Sequence, residues 1–292
     1  MSNILVLGDK LVDRYVLVEP KKVSAEAPIV VGDVIETKEL PGGADNVRAL
    51  LVQLGHTSKL ISGWNVEGID PAKPHLRKRV WPTKTRVMAG DYQLTRYDEH
   101  DQIGAACACE YNKELPKQIG DKPAWDALVV ADYAKGSITP EVIKRVAMFQ
   151  VTRSLYVHTK SDPVEWLAAR PSPPPIMFCN EEEYARHMDT YDLFELVVRT
   201  LGSAGAELVR FGESIDWVPS AAAAVVSVNG AGDALLTGFV HGHLAGNSPQ
   251  RSLVMGSEAA AITIAKPFCG ELSLEELNER MQKHATNASD PS

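Results

Sequence analysis

The chain has 292 residues, of which 45% are hydrophobic and 23% charged, with a formal net charge of −8. That apolar content excludes a disordered chain, and no apolar run approaches the ~20 residues that span a bilayer. The acidic balance argues against nucleic acid or an anionic membrane as the main partner, and leaves room for a local basic pocket.

The predicted elements alternate. Ile4–Leu7 is a short apolar run that ends in Gly8-Asp9. Val47, Leu50, Leu51 and Leu54 then follow helical spacing, with Gly55 where a C′ residue would sit. Leu60-Ile61 runs into Ser62-Gly63, and Ala127–Ala131 into Asp132. A helix is predicted over Glu141–Phe149. Leu155–Val157 ends at His158, and Ile176–Cys179 at Asn180. Tyr191–Leu201 reads as a further helix, and Glu207–Val209 as a strand closing at Arg210. Ala234–Leu244 carries a broad apolar face, and Ser273 with Glu276 forms a capping box before the last helix.

Continuous apolar runs of this length suit strands buried on both faces, so the pattern predicts an α/β domain with a mostly parallel sheet and helices on each side. Ligands bind beyond the carboxyl ends of such strands. The polar residues that close each run, Asp132 and Asn180 among them, are therefore candidates. Two β-rich stretches, 10–40 and 83–98, interrupt the rhythm and are expected to form a small antiparallel lid. One domain is expected over 1–292, with a frayed tail from Ala285. Cys107, Cys109, Cys179 and Cys269 fit neither a zinc site nor a disulfide framework and are read as reduced thiols. The N-terminus has no signal-peptide pattern, so a cytoplasmic protein is expected.

Three motifs carry chemistry. Asn229-Gly230-Ala231-Gly232-Asp233 stands directly before a predicted helix. Small residues there let backbone amides hold an anion with help from the helix dipole. Asp233 beside that hole would act as a general base, or simply complement the dipole; the first fits phosphoryl transfer. Pro41-Gly42-Gly43-Ala44-Asp45-Asn46 permits close backbone approach to a ligand, and Asn46 is suited to a hydroxyl, or the stretch is a helix entry. Gly8-Asp9-Lys10-Leu11-Val12-Asp13-Arg14 offers two carboxylates to a polyol, or is a solvated loop with a local ion pair.

Taken in chain order, with Asp132-Tyr133-Ala134-Lys135-Gly136 and Asn180-x-x-Glu183 between the second and the last, the motifs resemble the ribokinase (PfkB) family, over roughly residues 4–280. Val23–Pro28, Thr83–Val87 and Gln93–Arg96 are similar to its heptose-phosphate kinase branch. The resemblance implies a ribokinase-like αβα sandwich with a β-lid, ATP and Mg²⁺, and a sugar or sugar-phosphate substrate. It implies Asp233 as base, with Gly230, Ala231 and Gly232 as the anion hole. Asp9, Asp13, Gly42, Gly43, Asn46, Asp132 and Lys135 would lie on the substrate side. Lys84, Arg86 and Arg96 would be the lid cations that meet a substrate phosphate. Asn180, Glu183, Arg210, Gly212 and Asn229 would lie on the nucleotide side, Glu183 acting indirectly on Mg²⁺. A homodimer through the lid is also implied.

The chain departs from the family pattern in places. Ser227 and Val228 replace the Asp-Thr before the glycine loop, and His158-Thr159-Lys160 stands for Asp-Pro-Lys. Asp45 replaces a small residue, Leu208–Ser214 is shorter than the usual nucleotide-side turn, and the stretch between Gly63 and Thr83 is short. These motivate a rival reading, a binding or regulatory protein on a degenerate kinase fold; a third, a nucleoside kinase, rests on the loop variant Asn229-Gly230-Ala231-Gly232-Asp233-Ala234, which resembles that of adenosine-kinase-like members.

Overall fold

The computed structural model describes residues 1–67, 78–103, 115, 125–148, 153–221, 224–268 and 270–288, and of 65–67, 78 and 285–288 the backbone. Cys107, Cys109, Cys269, Phe149 and the end of the tail lie outside the described residues; Cys179 is a buried free thiol.

Strand β1 (Asn3–Gly8) shows why a central sheet forms. Leu5 and Leu7 face one side and Ile4 and Val6 the other, and all four are wholly buried. Apolar side chains in both phases of a two-residue repeat leave no solvent face, so helices must cover both sides. The strands of the large sheet, in chain order, are β1, β4 (Thr57–Ile61), β9 (Ala127–Asp132), β10 (Ser154–Thr159), β11 (Ile176–Asn180), β12 (Leu196–Thr200), β13 (Ala206–Arg210) and β14 (Glu213–Val218). Their spatial order is β14-β13-β12-β11-β10-β9-β1-β4. Every pairing from β4 to β12 is parallel, whereas β13 and β14 run antiparallel.

Helices α1 (Ala44–Gln53), α6 (Ala231–Leu244) and α7 (Pro249–Ile264) cover one face, where Val47, Leu51, Phe239 and Leu253 join Ile4 and Val6. Helices α2 (Pro140–Met148), α3 (Val164–Ala169) and α4 (Glu181–Arg186) cover the other with Val142, Trp166 and Tyr184. The four-residue helix α5 (Met188–Tyr191) and the final, 15-residue helix α8 (Leu274–Ala288) complete the set. The ribokinase-like αβα architecture is as expected.

The lid is a separate four-stranded sheet, in the order β3 (Val30–Gly43), β2 (Lys10–Val23), β7 (Thr83–Ala89) and β8 (Tyr92–Glu99). It is mixed, not wholly antiparallel. The chain leaves β3 through α1 and β4 before returning to the lid, so β7 arrives parallel to β2. Between them, β5 (Asn65–Glu67) and β6 (Lys78–Val80) form a two-stranded ribbon in the stretch that reads as short.

One element differs in kind from its expectation. Over 191–201 the chain makes the end of α5 and then strand β12, not a helix. Leu196, Val197 and Val198 are consecutive buried residues between β11 and β13, and adjacent β-branched side chains pack there on both faces. Helix α7 had no expectation; Ser248 caps it, accepting from the Arg251 amide at 3.3 Å, with Pro249 at its first position.

Candidate active site

The parallel strands end on one side of the sheet, and β2 and β3 bring the lid over that side. Between lid and sheet lies a cavity of about 320 Å³. Its wall is built from strand ends (His158, Asn180), lid strands (Asp13, Lys84, Arg86) and the start of α6.

The start of α6 is organised around glycine. Gly230 is the N-cap with φ +79°, a left-handed conformation that a side chain would strain, and it offers no side-chain cap. The first-turn amides of a helix have no intrahelical acceptor, and with the dipole they make a seat for an anion. A Cβ added to Gly232 would meet nothing within 4 Å, so open space lies over this turn. Asp233 sits in the same turn. Its Oδ2 accepts from Asn46 Nδ2 at 2.7 Å, and its Oδ1 accepts from the Tyr133 hydroxyl. Burial raises the Asp233 carboxyl above the usual carboxylate range, against the two hydrogen bonds, which pull it down. A base poised upward in this way is suited to taking a proton from a hydroxyl.

Asn46 reaches Asp233 from the first turn of α1, which starts immediately after Gly42-Gly43. A Cβ on Gly42 would lie 2.4 Å from Asp13 Oδ2, and one on Gly43 (φ +56°) 2.6 Å from the Asp9 carbonyl oxygen. The glycine pair thus allows α1 to begin against the lid root, and Gly43 also lines the cavity. Asp45, in the same turn, is paired with Arg48 at 2.7 Å and Lys10 at 3.4 Å, and is not part of the cavity wall.

On the lid, Asp13 pairs in register with Lys84, and Tyr15 with Arg86, so period-two alternation puts all four on one face. Arg86 donates to Asp13 Oδ1 at 2.5 Å and lies 5.4 Å from the Tyr15 ring centre. Its charge is therefore matched within the lid. Arg96 is held by both carboxylate oxygens of Asp98, at 2.8 and 2.6 Å, and does not line the cavity. Among the described residues, the cations left facing the cavity are Lys84 and Lys160, with their ammonium groups 5.9 and 5.4 Å from the Tyr133 ring centre. Burial lowers the Lys84 ammonium; Asp13 opposes this, while Lys160, Arg96 and Lys135 add to it. An anion bound between the two lysines would relieve that cost.

At the end of β11, Asn180 and Glu183 form a reciprocal cap. Asn180 Oδ1 accepts from the Glu183 amide at 2.7 Å, and Glu183 Oε2 from the Asn180 amide at 3.0 Å. His158 Nε2 lies 3.8 Å from the same Oε2. Burial raises the Glu183 carboxyl, but His158, the Asn180 amide and Lys160 outweigh it and leave the group below its ordinary value. Asn229 lines the cavity and donates to the Tyr15 hydroxyl at 3.3 Å.

Besides Arg96, five further expected site residues lie away from the cavity wall. Asp9 is wholly buried, and its carboxylate accepts from the amides of Tyr133, Lys135 and Ser137 at 2.8, 3.0 and 2.8 Å. It organises the loop after β9 and has no face toward a ligand. Asp132 is likewise buried, accepting from the Ala134 amide at 2.8 Å and Thr159 Oγ1 at 2.7 Å. Lys135 is paired with Asp101. Arg210 and Gly212 sit at the far end of the sheet, because β13 is antiparallel and its carboxyl end faces away from the cavity. The turn before β13 lies on the cavity side. There Thr200, Gly202 and Gly205 border a smaller space of about 130 Å³ that shares Ala231, Gly232 and Leu235 with the main cavity. A Cβ on Gly205 (φ +105°) would fall 2.0 Å from the Val218 carbonyl oxygen, so this turn requires glycine. The Thr200-Leu201-Gly202-Ser203-Ala204-Gly205 string was the available signal for it. Tyr133 and Lys160 also belong to the cavity without having been singled out as site residues.

A sheet of this order under a β-lid is the ribokinase-like fold. Residues 174–277 match the model of the pfkB family of carbohydrate kinases. More particularly, the chain is 27% identical over 303 residues to the bifunctional protein HldE of Campylobacter jejuni serotype O:6, covering 94% of this chain and 64% of the relative. It is 29% identical over 319 residues to the bifunctional protein HldE of Yersinia enterocolitica, covering 97% of this chain and 64% of the relative. The chain thus spans less than two thirds of the length of these relatives. Among solved structures, the nucleoside kinase of Methanocaldococcus jannaschii shares the fold with a TM-score of 0.70 at 17% identity, over 97% of this chain and 99% of that one. The ribokinase of Arabidopsis thaliana, complexed with ribose and ATP, does so with a TM-score of 0.67 at 17% identity, over 96% and 99%. No helix among the described residues is long and apolar enough to cross a membrane.

Proposed function

We propose that the chain is a carbohydrate kinase that moves the terminal phosphoryl group of ATP to a hydroxyl of a sugar phosphate. The observation that carries this reading is the placement of Asp233 in the first turn of α6, beside an anion seat and facing Lys84 and Lys160 across one cavity. Asp233 takes the proton of the acceptor hydroxyl, and Asn46 fixes the carboxylate for it. The amides at Gly230–Gly232 stabilise charge on the moving phosphoryl group. The lid carries Lys84 down onto the substrate side and excludes water.

Lys84 and Lys160 make no ion pair with a carboxylate among the described residues, which favours an anionic acceptor over a neutral sugar or nucleoside. The likeness of the lid motifs to the heptose-phosphate kinase branch, and the similarity to relatives named HldE, favour a heptose 7-phosphate-like sugar. The space at Thr200, Gly202 and Gly205 is where the nucleoside end of ATP would lie, continuous with the anion seat at Gly232. Among the described residues no group of three acids, histidines or cysteines stands ready for a metal. That suits Mg²⁺, which rides on nucleotide phosphates with several waters and one or two carboxylates. Glu183 would hold it through water, and Mg²⁺ would supply neutralisation of phosphate charge.

The lid edge strand β3 exposes Val34 and Ile35, with Ile29 just before it. A homodimer that buries this edge accompanies the reading, and sedimentation would report it.

The test is ATP consumption with a panel of sugar phosphates, free sugars and nucleosides, run with Asp233→Asn in parallel. Turnover confined to sugar phosphates, abolished in Asp233→Asn while sugar binding survives, is expected. Equal turnover in the two proteins would refute the role of Asp233. Sugar binding with no turnover by any nucleotide would favour a binding protein instead.

A further inference from the structure

Tyr133 occupies a position that the mechanism above does not explain. It is the second residue of the loop Asp132–Gly136. Asp9 pins it there through the Tyr133 amide at 2.8 Å. Its ring lies 5.9 and 5.4 Å from the ammonium groups of Lys84 and Lys160, with His158 edge-on at 5.4 Å. Its hydroxyl donates to Asp233 Oδ1, while Asn46 fills Oδ2. Both oxygens of the base are thus engaged, one by a rigid amide and the other by an O–H group.

An acceptor sugar must present an O–H to this same carboxylate. The partner on Oδ2 is Asn46, a buried amide fixed at the helix start, which a sugar does not displace. The partner on Oδ1 is a side-chain hydroxyl, the same kind of donor as a sugar O–H and one that a sugar can replace. A water molecule at Oδ1 would be equally able to lose a proton to Asp233.

We propose that the Tyr133 hydroxyl holds, on Asp233 Oδ1, the position that the acceptor hydroxyl takes, and so keeps water off the base until the sugar displaces it. This rests on the kinase reading above. The reaction suppressed is hydrolysis. Water oxygen bonds to the terminal phosphorus, the bond from that phosphorus to the bridging oxygen breaks, and ADP leaves. The proton of the attacking water passes to Asp233 and then to solvent. Tyr133 is not itself a ready nucleophile, because burial, together with the neighbouring Asp233, pushes its phenol well above its ordinary value.

The experiment compares wild type, Tyr133→Phe, Asp233→Asn and the double variant Tyr133→Phe/Asp233→Asn. Phenylalanine keeps the ring beside the lysines and removes only the hydroxyl, and a thermal melt checks folding. Tyr133→Phe is expected to hydrolyse ATP without sugar roughly tenfold faster than wild type, a modest part of what a general base supplies. The double variant is expected to return to the wild-type background. Two readouts separate this from a structural role. With no phenol to displace, Tyr133→Phe binds sugar phosphate more tightly by calorimetry in the absence of nucleotide. With one lowering hydrogen bond lost from the free enzyme, the acid limb of kcat/KM for sugar phosphorylation moves to higher pH, while that of kcat, read with the sugar already on Oδ1, stays in place.

Sugar-phosphate transfer in the wild type with no rise in hydrolysis in Tyr133→Phe overturns the guard and leaves the kinase reading intact. An Asp233-dependent rise with no sugar phosphorylated by any protein supports the guard and overturns the acceptor assignment. Neither hydrolysis nor transfer in any variant overturns both.

Discussion

Asn46 Nδ2 and Asp233 Oδ2 are joined by a 2.7 Å hydrogen bond across 187 residues of sequence. The bond ties the start of α1 to the start of α6, and it is one of the contacts that hold the Asp233 carboxyl down against burial. Asn46→Ala removes it. The carboxyl then rises further, and since the base works only when ionised, activity is lost at a higher pH than in wild type. The acid limb of the pH–rate profile is expected to shift upward. An unmoved limb would show that Asn46 serves only to start the helix.

Lys84 and Lys160 come from the lid and from the loop after β10, and they share the Tyr133 ring. Hydrogen bonds to charged groups contribute roughly 1.5–3 kcal/mol. Replacing either lysine by alanine is expected to raise KM for a sugar phosphate by about tenfold or more on that basis, with little change for a neutral sugar. Equal effects on both substrates, in steady-state kinetics, would place the lysines on the nucleotide phosphates.

Gly42 has no room for a methyl group, because a Cβ would lie 2.4 Å from Asp13 Oδ2 and 3.3 Å from Leu11 Cβ. In Gly42→Ala the Asp13 carboxylate must move, and with it the Arg86 guanidinium. Overpacking of this kind costs about 1–3 kcal/mol. A lowered melting temperature together with weaker sugar binding is expected; a melting temperature unchanged from wild type would contradict the close approach.

His56 Nε2 and His241 Nδ1 are 2.9 Å apart where α1's exit meets α6. Burial, with His241 beside it, lowers His56 from 6.5 to about 4. The native state therefore resists protonation that the unfolded chain accepts. Stability contributed by the neutral ring is complete above pH 6.5 and declines as the pH falls toward about 4. The whole decline is on the order of 3 kcal/mol at most. Urea unfolding of wild type and His56→Gln across that range measures it: the difference between the two should narrow as pH falls, and a constant difference would show that the pair does not titrate.

Much of the architecture was legible because the central strands are buried on both faces, which leaves runs such as Ile4–Leu7 and Ala127–Ala131 that suit little else. The anion seat was legible for a similar reason: Gly230 needs a left-handed backbone, and few residues tolerate one. What the residues could not disclose was direction. A strand repeats every two residues whichever way it runs, so nothing in Glu207–Val209 announces that β13 is reversed and that Arg210 is carried away from the cavity. Asp9 and Asp13 look alike in sequence, but only the second emerges on the lid face; the first is consumed by three amides of a loop 124 or more residues away. The meeting of Lys84, Lys160 and Tyr133 is likewise a product of topology, since no two of them are near neighbours in the chain.

Asp9 also decides how damage in this molecule would present itself. It does not line the cavity, yet it is the peg on which the Tyr133 loop hangs. A lesion there would mimic a fault in chemistry while originating in the scaffold. Screening inactive variants for a loosened 133–137 segment, by amide exchange for instance, would tell the two apart.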